Sequence, residues 1–93
     1  MHEPWMMLDK WGNFVPAKTF LDGKEFRAVG LEEFRTLTDG CDLLVGLMAK
    51  YRDGDTIFWY KSPHADWAVG MGSEGYVLVR DQYLVASVVI RMN

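Results

Sequence analysis

Between Gly75 and Met92 the chain reads as two apolar runs around a short polar break: Tyr76-Val77-Leu78-Val79-Arg80, then Tyr83-Leu84-Val85-Ala86-Ser87-Val88-Val89-Ile90, with Asp81-Gln82 between them. Successive side chains on a strand point to opposite sides, so each run divides into two sets. The pattern predicts a β-hairpin with Val79 opposite Leu84 and Val77 opposite Ala86. One face (Val77, Val79, Leu84, Ala86, Val88, Ile90, Met92) is wholly apolar and reads as core. The other (Tyr76, Leu78, Arg80, Tyr83, Val85, Ser87, Val89, Arg91) is mixed, yet apolar enough to need a cover.

Upstream, Thr56-Ile57-Phe58-Trp59-Tyr60 is β-branched and aromatic throughout, the signature of a strand buried on both faces. Lys24–Val29 reads as a short strand with Phe26 and Ala28 on one side. Leu31, Phe34 and Leu37 recur at helical spacing, with Glu32 and Glu33 in the first turn where the helix dipole favours them. A second helix is expected over Asp42–Arg52, capped by Asp42, with Leu43, Leu44, Leu47, Met48 and Tyr51 as its apolar stripe and Gly46 kept for close packing. Trp67, Val69 and Met71 alternate over a possible further strand. Residues 1–23 read as an irregular aromatic-rich arm, with a turn or two of helix about Trp5–Trp11, suited to covering the second hairpin face. The expected fold is a single α+β domain over 1–93: two short helices packed on a curved, mostly antiparallel sheet of three to five strands, ending in the hairpin.

Composition narrows the function more by exclusion than by indication. Of 93 residues, 49% are hydrophobic and 25% charged, ordinary values for a globular domain. Ten basic residues scattered among thirteen acidic ones give a net charge of −3, without the clustered cations that displace counterions from nucleic acid. No apolar run is long enough for a membrane span, and the first residues lack the pattern of an export signal. A lone cysteine, Cys41, excludes an intrachain disulfide and points to the reducing cytoplasm. The aromatic load (five Phe, four Tyr, four Trp) is heavy for a chain whose surface-to-volume ratio leaves little room to hide rings.

The motifs are weak. Gly70-Met71-Gly72-Ser73-Glu74-Gly75 matches the dinucleotide pattern G-x-G-x-x-G, but that pattern needs a following helix to hold the pyrophosphate, and here a strand follows. Extended by Tyr76-Val77 it resembles the kinase glycine-rich loop over eight residues. The chain ends sixteen residues after Val77, without room for the metal-binding and catalytic segments, and Glu74 would repel a phosphate. The stretch reads better as a glycine-softened connection with a possible bulge. Ser62-Pro63-His64-Ala65-Asp66-Trp67 sets a histidine and a carboxylate beside aromatics. Cys41 with His64 and Asp66 would be a minimal thiol-nucleophile set, but nothing in the sequence brings them together. Two histidines and one cysteine do not make a usual zinc site, and Asp53-Gly54-Asp55 is too short for a calcium loop.

In size and style the chain resembles small single-domain proteins of bacterial genomes and mobile gene cassettes, a resemblance that implies no activity. The sequence therefore points to a non-enzymatic cytoplasmic domain, without cofactor or metal, that associates with itself or another protein. The expected surface is the second hairpin face, with Tyr76, Leu78, Tyr83, Val85 and Val89 at its centre and Arg80 and Arg91 at its rim. The alternative is a small-molecule binder with Trp59, Tyr60, Trp67 and Tyr76 lining a pocket for an apolar or cationic ligand and His64 or Asp66 supplying the polar contact. Neither nucleic acid nor a membrane is expected as partner.

Overall fold

The apolar run Thr56–Lys61 sits inside a four-stranded sheet, flanked on one side by Glu25–Val29 and on the other by Ser73–Arg80. The computed structural model describes residues 14–93. In chain order its elements are α1 (Ala17–Leu21), β1 (Glu25–Val29), α2 (Leu31–Thr38), α3 (Asp42–Met48), β2 (Thr56–Lys61), α4 (His64–Ala68), β3 (Ser73–Arg80) and β4 (Tyr83–Met92). The sheet order is β1-β2-β3-β4 and every pair is antiparallel. The predicted class is the observed one: α+β, with a strongly paired β3–β4 hairpin. The expected turns of helix about Trp5–Trp11 lie outside the described residues.

Because β2 is apolar on both sides, both faces of the sheet carry core. Ile57, Tyr76, Leu78, Val85 and Ala86 pack under Val29, Phe34 of α2, and Leu44 and Leu47 of α3. On the opposite face Tyr60, Val77, Val79 and Leu84 pack under Ala17 and Leu21 of α1, with Val15, Phe20 and Phe58 at the margin. Phe34 stands edge-on to Tyr76 and Phe20 edge-on to Tyr60, with ring centroids 5.4 and 5.1 Å apart, the geometry that brings a ring's positive edge to a negative face. Burial raises the pKa of the Tyr76 phenol by disfavouring its charged form.

The hairpin turns at Asp81-Gln82 as expected, with both residues at positive φ (51° and 73°), the twist that a two-residue connection between antiparallel strands requires. Val79 pairs with Leu84 as expected, but Val77 pairs with Ser87 instead of Ala86. A β-bulge is the cause. The register shifts between Leu78 and Val79, Val85 becomes the extra residue, and Leu78 then faces Ala86 and Tyr76 faces Val88. One inserted residue sends everything after it to the other face. Ala86 and Val88 therefore belong with Leu78 under α2 and α3, while Ile90 and Met92 are exposed. A second shift, between Glu74 and Gly75, falls where a Cβ on Gly75 would lie 2.0 Å from the Val88 carbonyl oxygen. Gly75 is thus required by close approach of two backbones, which accounts for the last glycine of the G-x-G-x-x-G stretch.

Other expectations are corrected. Helix α3 ends at Met48, and its N-cap is Cys41, with Asp42 as the first helical residue. Leu43 points to solvent. A Cβ on Gly46 would meet nothing within 4 Å, so this glycine serves no close packing. The strand expected over Trp67, Val69 and Met71 does not form: Trp67 lies in α4, which starts directly after Pro63, and Val69 and Met71 belong to no strand and are exposed. Within the expected arm, residues 17–21 form α1, which covers the Val77–Val79–Leu84 face; the mixed face is covered by α2 and α3.

A buried ion pair ties the loop after α3 to the end of β3. Arg80 Nε and Nη2 donate to the two Asp55 carboxylate oxygens at 2.8 and 2.7 Å, Nη2 also donates to the Lys50 carbonyl at 3.0 Å, and the Arg52 backbone N–H donates to Asp55 at 3.0 Å. The Asp55 side chain is 2% exposed. Burial pushes its carboxyl upward, but the hydrogen bonds from Arg80 and Arg52 and the guanidinium charge outweigh this and hold it below the ordinary aspartate value.

Three outcomes follow from this packing. A group whose folded pKa is depressed contributes stability above its unfolded value, about 3.9 for aspartate, and loses it as pH falls through the folded value. Urea titrations across the acid range should therefore show Asp55→Asn flattening the acid limb of the stability curve. Arg80→Met should cost about 3 kcal/mol near neutral pH by leaving a buried carboxylate unmatched. Gly46→Ala should stabilise by about 1 kcal/mol, because the methyl group enters open space on a helix interior; its urea midpoint measures this directly.

Candidate association surface

The residues expected to form an association surface are divided by the fold. Leu78 and Val85 are fully buried and Tyr76 nearly so, all beneath α2 and α3, because the face predicted to need a cover is covered by the chain's own helices. Arg80 is engaged with Asp55. Tyr83, Val89 and Arg91 remain at the surface: Tyr83 stacks at a tilt on Phe14, with centroids 5.4 Å apart, and Arg91 lies 3.4 Å from Glu74. These residues therefore do not make one exposed patch.

The residues of the alternative pocket are also separated. Trp59 and Tyr60 are consecutive on β2, so they point to opposite faces. Tyr60 is buried under α1, whereas Trp59 lies against the α2–α3 side with its Nε1 donating to Glu74 at 2.9 Å. Trp67 seats its indole on Gly72, where a Cβ would fall 2.4 Å from the ring. Its Nε1 donates to the Ser62 carbonyl at 3.1 Å. The Asn93 side chain bridges the Gly72 N–H and the Trp67 carbonyl. The recess here measures about 260 Å³ and is bounded by Lys61, His64, Trp67 and Arg91 among others. The place for a cation over the indole is already taken: Lys61 Nζ and the Arg91 guanidinium carbon lie 5.9 and 5.4 Å from the ring centre. Asp66 is half-buried on α4, where its backbone carbonyl receives Met71 N–H at 2.8 Å. Among the described residues no three His, Cys, Asp or Glu side chains come together closely enough to share a metal ion. Cys41 packs beside the α2–α3 core.

What the sequence reading missed lies at the other end of the sheet. An apolar recess of about 840 Å³ opens between α1 and the β1–β2 half of the sheet, with Leu21, Phe26, Phe58 and Val79 as its floor. Helix α1 is five residues long, too short to cover all four strands. Phe26 stands edge-on to Phe58, centroids 6.0 Å apart, and keeps 49% of its surface in water. Lys18, Lys24, Asp22 and Asp81 mark the rim.

The recess adjoins an open strand edge. β1 bonds to β2 alone among the described residues, so its outer backbone groups face outward. The other edge of the sheet is partly closed: Leu84 N–H donates to the Val15 carbonyl at 2.8 Å, Ala17 N–H to the Gln82 carbonyl at 2.9 Å, and Pro16 bridges Tyr83. On the opposite face of β1, Glu25 and Arg27 are exposed, and Arg27 pairs with Glu33 at 2.9 Å. That hydrogen bond lowers the Glu33 pKa. The available signal was the placing of Phe26 and Ala28 on one side of a short strand with charged neighbours; what was missing was that this strand ends the sheet.

No family model matches the chain, and no curated protein or solved structure matches it. Among the described residues no helix is long and apolar enough to cross a membrane.

Gly72 offers a check on the Trp67 platform. Gly72→Ala should expel the indole from its seat, red-shifting tryptophan emission and costing about 1–3 kcal/mol in urea unfolding, the usual range for overpacking.

Proposed function

We propose that this chain is a non-enzymatic association module that accepts an extended protein segment along the open edge of β1. The observation that carries this reading is the adjacency of a strand edge unbonded among the described residues and an apolar floor on the same strand. An incoming strand would satisfy the outward backbone groups of β1, and its alternate side chains would enter the recess over Phe26 and Phe58. The opposite face asks for charge, because Glu25 and Arg27 point there. The occupant is thus a strand apolar at every second position and charged between. Tyr83, Val89 and Arg91 fall to the other edge and have no role in it. A single cysteine suits such a module working in the cytoplasm.

The test is a heteronuclear NMR titration of the full chain with a capped nine-residue peptide that alternates valine with lysine and glutamate. Amide shifts should concentrate on residues 25–29 and ring shifts on Phe26 and Phe58. Phe26→Glu, at a half-exposed site that tolerates a polar residue, should weaken binding by about tenfold or more, equivalent to about 1.4 kcal/mol. Shifts confined to β4, or none up to millimolar peptide, would remove the reading.

A further inference from the structure

We propose that the segment accepted by β1 is β1 of a second copy, paired antiparallel about Phe26; this rests on the association reading above. The motivation is the order Glu25-Phe26-Arg27, acid then aromatic then base, on a strand whose outer edge is free among the described residues. Turned about a two-fold axis through Phe26, this triplet is its own complement. Glu25 falls opposite Arg27 of the second copy, Arg27 opposite its Glu25, and the two Phe26 rings face each other. Directly opposed side chains in an antiparallel pair lie about 5 Å apart at Cβ, close enough for both charge pairs to form.

Neighbouring registers lack this match. Centring on Arg27 sets two guanidinium groups against each other, and centring on Glu25 sets two carboxylates against each other. Centring on Ala28 brings Arg27 to Val29 and Phe26 to Gly30. Like charges directly opposite one another are destabilising, so the Phe26-centred register is selected by charge as well as by ring contact.

The groups involved have capacity for a second partner. Glu25 is exposed, and Lys61, its cross-strand neighbour on β2, is turned over the Trp67 ring. Arg27 gives Nη1 and Nη2 to Glu33, and a guanidinium has five N–H donors. Its exposure, like that of Glu33, is about half.

The two-fold axis would stand perpendicular to the sheet, so both α1 faces lie on one side. The recesses then meet at the paired Phe26 rings and form one row, Phe58–Phe26 from one copy followed by Phe26–Phe58 from the other. The result is a closed isologous dimer with an eight-stranded antiparallel sheet in the order β4-β3-β2-β1-β1-β2-β3-β4.

Sedimentation equilibrium of the full chain, from about 5 to about 500 µM, spans the affinity range expected of such a small contact. The expected result is a rise from monomer to dimer mass. Glu25→Arg and Arg27→Glu, each of which sets like charges opposite one another, should each weaken the dimer about tenfold or more, and the double variant Glu25→Arg/Arg27→Glu should recover most of it. Circular dichroism confirms that each variant is folded. A dimer insensitive to all three variants would overturn the proposal. A monomer at every concentration would also overturn it, and the peptide titration then separates two cases: shifts on residues 25–29 leave the strand-accepting reading standing without self-pairing, and their absence removes both.

Discussion

The constraint on which the structure depends is that β2, one of its two inner strands, has no polar face over Ile57–Tyr60. Ile57 and Trp59 on one side of β2, and Phe58 and Tyr60 on the other, both have to leave water. A sheet of this kind needs two covers, and a chain of 93 residues has few elements to supply them. The longer pair, α2 and α3, lies over one face and supplies Phe34, Leu44 and Leu47. The other face receives α1, a five-residue helix that reaches Tyr60, Val77, Val79 and Leu84 but, among the described residues, leaves the Phe26–Phe58 corner open. The open corner is thus a consequence of unequal cover.

The bulge at Val85 serves the same need. Without it β4 would alternate strictly, placing Ala86 and Val88 with Val77 and Leu84, and the α2–α3 face would lose their apolar surface. With it, Val85 and Ala86 both reach that side, where α3 packs across the hairpin. The second irregularity, at Gly75, lets the backbones approach so closely that no side chain fits. The local twist added by each bulge curves the sheet around its helices. The Asp55–Arg80 pair then closes the end of this arrangement, fixing the loop from α3 to β2 against the last residue of β3.

Much of this was legible in residue order because strand and helix periods are short-range properties. The two-sided run Thr56–Tyr60, the turn at Asp81-Gln82, the Val79–Leu84 pair and the Phe34-centred helix all follow from local pattern. What was not legible required knowledge of neighbours. A strict period of two cannot signal a bulge, so by residue order alone Ala86 and Val88 fall on the wrong face and Leu78 and Val85 read as surface. Alternation at Trp67, Val69 and Met71 looked like a strand because nothing local shows that these residues have no strand beside them. Gly46 looked like a packing glycine because sequence gives no view of the empty space around it. The candidate site was missed for the same reason. Phe26 is unremarkable until the strand order shows β1 at the end of the sheet.

The charges on β1 bear on both sides of the edge-strand problem. An open edge beside apolar side chains invites indiscriminate pairing, and a charged residue on such an edge is a common safeguard. Glu25 and Arg27 put opposite charges two residues apart on one face of a strand only five residues long. A strand with a single charge sign opposite them would always meet one like charge, and an uncharged strand would add no charge partner for Glu25 and leave Arg27 with Glu33 alone. A strand carrying base and acid in the complementary order satisfies both. In the proposed pairing, the residues that protect the edge would also restrict what it accepts, and β1 is itself a strand that carries the complementary order.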